Sequence, residues 1–154
     1  MLKSRISQSM LALGCILAFS VTAQAQTAGR KIISTPNAPE AIGPYSQAVR
    51  AGNTIYLAGQ IAIDPKTNQL VKGTIEEETK LVLENLQAVL AAEGLTMEHV
   101  VSTTVFLKDL NEFGKMNGVY ATFFKSNPPA RATVEVARLP RDVKVEIAAI
   151  AVAP

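Results

Sequence analysis

Cysteine and histidine occur once each in this chain of 154 residues. The only cysteine, Cys15, lies in an N-terminal stretch with the marks of an export signal. Lys3 and Arg5 supply a basic start, Met10 to Val21 an apolar heart, and Ala23-Gln24-Ala25 a small-x-small cleavage pattern. The apolar heart is short for a membrane span and carries polar residues at both ends. The expectation is therefore a signal peptide at residues 1–25, a short arm at 26–30 and one domain at 31–154, in a periplasmic or secreted protein that leaves the membrane after cleavage. A chain cut after Ala25 has no thiol, hence no disulfide, no cysteine nucleophile and no thiolate metal site.

His99 stands beside Glu98 before a predicted strand, where a surface turn residue is expected. With one histidine, a Ser-His-Asp triad and a zinc site are both disfavoured. A glycine-rich phosphate loop and a dinucleotide fingerprint are also missing, so no cofactor and no metal are expected. Charge of one sign is missing too. The chain has 15 Lys+Arg against 13 Asp+Glu, and loss of Lys3 and Arg5 leaves 13 against 13. No basic field remains for a phosphate backbone, and nucleic acid is excluded as an expected partner. Chemistry is left to Arg, Glu, Tyr, Asn, backbone groups and water.

What is present reads as an α+β domain. Lys31 to Ser34 predicts an edge strand, and Thr35 to Pro44 a proline-rich loop. Ser46 to Arg50 and Thr54 to Leu57 predict a hairpin around Gly52. Thr74 and Glu77 form a capping-box pattern at the head of a helix that Gly94 can end. Val100 to Leu107 is β-branched and predicts a strand. Asp109 and Glu112 repeat the capping pattern before a second helix, from about Asn111 to Phe124. Ala132 to Ala137 and Val143 to Val152 predict an antiparallel pair joined near Leu139-Pro140. The sum is one sheet with two helices on one face. The last strand is apolar on both faces, and two helices cover only one. Homo-oligomers that cover the other face account for this. A strand buried on both sides within one chain is the alternative.

Three polar residues stand out. Arg131 follows Pro128-Pro129-Ala130, which aims its guanidinium, and such a group suits a carboxylate. Glu146 interrupts an apolar run, where desolvation raises a carboxyl toward the range useful for proton transfer. The predicted pairing sets it opposite Thr133, close to Arg131. Asn117 shares the apolar stripe of the second helix with Phe113, Met116, Tyr120 and Phe124. Spacing alone favours a structural ion pair and a core amide over a site.

The motifs then go further. Pro129 to Pro140 (PARATVEVARLP), followed by Val145-Glu146-Ile147, resembles the signature of the RidA (YjgF) family. Gly43-Pro44-Tyr45-Ser46-Gln47-Ala48, Ala58-Gly59-Gln60-Ile61 and Asp109 through Asn117 resemble three further segments of that family, in order along the chain. The resemblance implies a chorismate-mutase-like sandwich, and a homotrimer with active sites in the clefts between subunits. It implies hydrolysis of 2-imino acids and enamines, of the 2-iminobutanoate and 2-iminopropanoate type, to 2-keto acids and ammonia without a cofactor. It implies that Arg131 binds the substrate carboxylate and Glu146 positions the water. Tyr45, Gly59 and Asn117 would line the pocket, with the backbone around Thr133 assisting. The sequence departs from the family pattern at Ala58, where serine is common, and at Thr133, where cysteine is common. A non-catalytic carboxylate-binding protein and a chaperone-like trimer are the alternatives.

Overall fold

A computed structural model describes residues 29–154, so the predicted signal segment lies outside the described residues. The first strand opens at Arg30, one residue ahead of the expected domain start. In chain order come β1 (Arg30–Ile33), β2 (Ala48–Ala51), β3 (Thr54–Gln60), β4 (Ile63–Asp64) and β5 (Gln69–Leu70). They are followed by α1 (Ile75–Ala91), β6 (Val100–Leu107), α2 (Phe113–Phe123), β7 (Ala130–Glu135) and β8 (Val145–Val152). Among the described residues no helix is long and apolar enough to cross a membrane.

Local chemistry explains most boundaries. The Thr74 hydroxyl accepts from Glu77 N–H, and the Glu77 carboxylate accepts from Thr74 N–H at 2.7 Å, which closes the capping box of α1. Gly52 (φ 61°) turns β2 into β3, and Gly94 (φ 71°) follows α1 in the left-handed region. The His99 ring accepts from Thr96 N–H at 3.1 Å, within a single 3-10 turn ahead of β6, as a turn residue does. The second capping box does not form. Asp109 accepts from Asn111 N–H, but Glu112 does not bond back, and a 3-10 turn over Leu110–Glu112 leads into α2.

The main sheet has the order β1-β2-β3-β8-β6-β7, and β4-β5 is a separate hairpin. All ladders are antiparallel except that of β6 with β7. The architecture is thus the expected α+β sandwich. The pairing of its last two strands is not the expected one. β8 lies between β3 and β6, and β7 is an edge strand on the far side of β6. The physical reason is composition. β8 is apolar on both faces and takes the centre. β7 carries Arg131, Thr133 and Glu135, and stands largely exposed at the edge, reached from β6 through the α2 crossover.

The core lies between the sheet and the helices. Val145, Ile147, Ala149 and Ala151 of β8 face Val82, Leu86, Val89 and Met116 in one buried cluster. On the opposite face, Ile32 is 49%, Tyr56 51% and Val152 40% exposed, with Ile150 beside Tyr56 in the ladder. Among the described residues the apolar second face is therefore not buried, against the alternative of a strand covered on both sides within one chain. A second, smaller cluster of Ile61, Ile63, Leu139 and Val143, packed with Phe106, covers only one end of that open face.

Candidate active site

Glu146 projects to the open face, since its neighbours Val145 and Ile147 are buried under the helices. It stands beside Phe106 in the ladder. Next to it β3 bulges. Leu57 pairs with Ala149 and Gln60 with Ile147, so Ala58 and Gly59 together oppose Ala148. The extra residue lets Leu57 and Gln60 both turn inward, and lays the Gly59 backbone against the Glu146 carboxyl group. A Cβ on Gly59 would stand 2.9 Å from Glu146 Cδ and 3.1 Å from its Cγ, so only glycine fits without a shift.

Tyr45 comes from the proline-rich loop. Ile42 N–H donates to its phenol oxygen at 3.3 Å. That loop is held by Gln47, whose functional weight the sequence reading missed. The Gln47 side chain, in a residue only 5% exposed, donates to Pro39 O at 2.7 Å and Thr35 O at 3.1 Å, and accepts from Thr35 N–H at 2.6 Å. A glutamine closing a proline-rich loop was the available signal, because such a loop has backbone groups with no ladder to satisfy them. Tyr45, Gly59 and Glu146, with Ile42, Ile61 and Pro140, line a cavity of about 320 Å³. Burial against these apolar walls holds the Glu146 carboxyl above the usual carboxylate range.

Arg131 lies elsewhere. It pairs in the ladder with Thr103, whose side chain is buried on the helix face. Its guanidinium carbon stands 4.5 Å from the centroid of the Tyr120 ring and 5.6 Å from that of Phe113, both on α2. Tyr120 and Thr103 share a buried hydrogen bond of 2.8 Å. Burial pushes the Tyr120 phenol up, so it stays neutral. Asn117 lies on α2 between Phe113 and Tyr120, half-buried on the same stripe. Thr133, two residues beyond Arg131 on the same face, has a buried hydroxyl oxygen with no hydrogen-bond partner among the described residues.

The six predicted residues therefore form two groups, not one. Tyr45, Gly59 and Glu146 line the open-face cavity. Arg131, Asn117 and Thr133 cluster at the β7 edge, on the helix face. The expected contact of Arg131 with Glu146 is corrected, because β6 runs between their strands and the two side chains leave the sheet on opposite faces. A structural ion pair between them fails on the same geometry. Among the described residues neither side chain enters an ion pair. One group offers a stacked cation, amide and hydroxyl suited to a planar carboxylate. The other offers a half-dry acid suited to moving a proton. Among the described residues no cluster of three His, Cys, Asp or Glu could hold a metal ion.

The profile of the family described as Endoribonuclease L-PSP matches residues 35–153. The 2-iminobutanoate/2-iminopropanoate deaminase of Mus musculus is 54% identical over 123 residues, 80% of this chain and 91% of the mouse protein. The crystal structure of the YjgF gene product from E. coli superposes with a TM-score of 0.77 at 48% identity, covering 80% of this chain and 99% of that one. E. coli TdcF, solved with bound serine, has a TM-score of 0.77 at 44% identity, covering 80% of this chain and 99% of that one. These relatives are covered over nearly their whole length, and the family match begins at residue 35, which leaves residues 1–25 outside it. The expectation of a signal peptide and a periplasmic protein is corrected on that finding, because the family pattern does not carry it. Its motifs, sheet order and matches agree: the chain belongs to the Endoribonuclease L-PSP family, the RidA (YjgF) family that its segments resemble.

Proposed function

We propose that the protein hydrolyses 2-imino acids to 2-keto acids and ammonia, as a homotrimer whose sites join the Arg131 group of one copy to the Glu146 group of the next. The observation that carries this reading is the split itself. Among the described residues a guanidinium on an aromatic platform and a desolvated acid each lack a partner of opposite charge, and the sheet face beside the acid is apolar and uncovered. Assembly through that face meets both needs. The mouse relative's name and the serine bound to E. coli TdcF support a small substrate with a carboxylate.

The chemistry balances without an outside reagent. Arg131 holds the substrate carboxylate, with Asn117 and the backbone around Thr133 beside it. Glu146 accepts a proton from a water as the water oxygen bonds to C2 of the protonated imine. The tetrahedral product carries OH and NH2 on C2. Glu146 returns the proton to nitrogen, the C–N bond breaks, and ammonia leaves as the hydroxyl collapses to the ketone with loss of its proton to water. A protonated imine is already electrophilic, so orientation and one acid/base group suffice. Gly59 leaves room for the acid, and Tyr45 bounds the pocket on the loop side.

The test generates an imino acid with an amino-acid oxidase in the presence of semicarbazide. Added protein is expected to divert the imine to keto acid and lower semicarbazone yield. Equal semicarbazone yield with and without the protein would overturn the reading. A binding protein would hold 2-oxobutanoate yet leave that yield unchanged, and a chaperone-like trimer would do neither.

A further inference from the structure

We propose that Tyr120 is the positioning residue of Arg131: its ring, pinned by Thr103, sets the direction in which the guanidinium meets the substrate carboxylate. The inference rests on the imine-hydrolysis reading for the carboxylate and adds a residue to it. Arg131 needs such support. It lies on an exposed edge strand, with no ion-pair partner among the described residues. A free arginine side chain would sample many rotamers, and ordering it on binding costs affinity.

The register shows how the platform is held. Thr103 is the ladder neighbour of Arg131, on the same face and at the same level. The hydroxyl that fixes the Tyr120 phenol therefore comes from the residue beside the arginine. The Tyr120 ring cannot swing away without breaking that buried 2.8 Å bond. The ring also packs on Phe124, at 4.5 Å between centroids. Tyr120 is only 5% exposed, and the guanidinium carbon lies 4.5 Å from its ring centroid, closer than the 5.6 Å to Phe113. Tyr120 touches no reacting atom in this arrangement. It acts through Arg131.

The full-length protein is tested as wild type, Tyr120→Leu, Tyr120→Met and Tyr120→Phe, and with Arg131→Ala alone and combined with Tyr120→Leu. Steady-state imine hydrolysis and binding of 2-oxobutanoate are measured. The aliphatic variants are expected to raise KM and the keto-acid Kd about tenfold, with a smaller change in kcat, because Arg131 binds ground and transition states alike. Tyr120→Phe keeps the ring but loses the Thr103 bond, so it should recover part of that loss and not all of it. In the Arg131→Ala background, Tyr120→Leu should add nothing. In protein labelled at arginine Nε, the ring-current shift of the Arg131 Nε–H should persist in Tyr120→Phe and vanish in the aliphatic variants. A KM effect of equal size with and without Arg131 would overturn the inference, as would an unchanged ring-current shift in either aliphatic variant. A wild type that neither binds keto acid nor hydrolyses imine sinks the functional reading instead, while the ring-current comparison still decides whether Tyr120 holds the arginine.

Discussion

Arg131 and Glu146 leave one sheet on opposite faces, with β6 running between their strands. A single copy therefore cannot bring both to one substrate, and the proposed chemistry requires a second.

Mixed assemblies test this directly. Arg131→Ala and Glu146→Gln should each keep only a residual activity alone, about a hundredth of wild type. Co-expressed in equal amounts they should recover about a quarter of wild-type activity, because half of the subunits bring an intact arginine and half bring an intact acid to each shared site. Semicarbazone yield in purified mixed trimers measures the recovery. No recovery would place both groups of a working site on one chain.

Glu146→Gln should lower kcat roughly a hundredfold or more while keto-acid binding persists. The same substitution should raise Tm at neutral pH. Burial raises the folded-state pKa of Glu146, so its protonated form is the one the fold tolerates. The stability it allows is fully present below the unfolded value of about 4.3 and is lost as pH rises through the folded value. The advantage of Gln should therefore shrink as the medium is acidified. Activity of the wild type should fall on the acid side of a pKa above the ordinary glutamate value. Melting curves and a kcat profile against pH check both signs.

Gly59→Ala should cut kcat about a hundredfold, since its methyl group would occupy space now held by the Glu146 carboxyl and displace it by an ångström or so. Keto-acid binding through Arg131 should change much less. A Gly59→Ala protein with wild-type kcat would show that the acid has room to move without loss.

Tyr56→Asp places a charge on the exposed apolar face while leaving the helix-side core untouched. The variant should fold, sediment as a smaller species and lose imine hydrolysis, because a buried unpaired charge costs far more than the assembly can recover there. Sedimentation velocity beside circular dichroism reads the two effects separately. An active Tyr56→Asp trimer would move the interface to another surface.

Gln47→Leu should destabilise the fold by about 2–3 kcal/mol, since one amide satisfies several buried backbone groups and leucine satisfies none. Denaturant unfolding measures it. A loss below about 0.5 kcal/mol, the scale of an ordinary surface change, would mean that the loop finds other partners.

Helices, caps and the hairpin turn were legible along the chain because each depends on residues three or four positions apart. Thr74 and Glu77 meet within one turn, and Gly52 needs only its own φ. The second capping box does not close, and Glu135 from the edge strand satisfies the neighbouring amide of this turn. The Glu135 carboxylate accepts from Leu110 N–H at 2.8 Å, a contact across 25 positions that no local pattern contains. The site residues themselves were legible from the family-like segments and the misplaced polarity of Glu146. Their mutual placement was not, because a short turn between two strands suggests a hairpin whether or not the strands pair.

The chain alone thus determined the residue types available for chemistry, the two-helix, one-sheet class and the apolar second face, since composition and periodicity act over neighbouring positions. Strand order was decided only in three dimensions, where β8 took the sheet centre that its two apolar faces require and left β7 at the edge. That exchange separates the guanidinium from the acid, and the bulge at Ala58 and Gly59 then seats the acid. Both are outcomes of non-local pairing, in which each strand competes for the partners that bury it best.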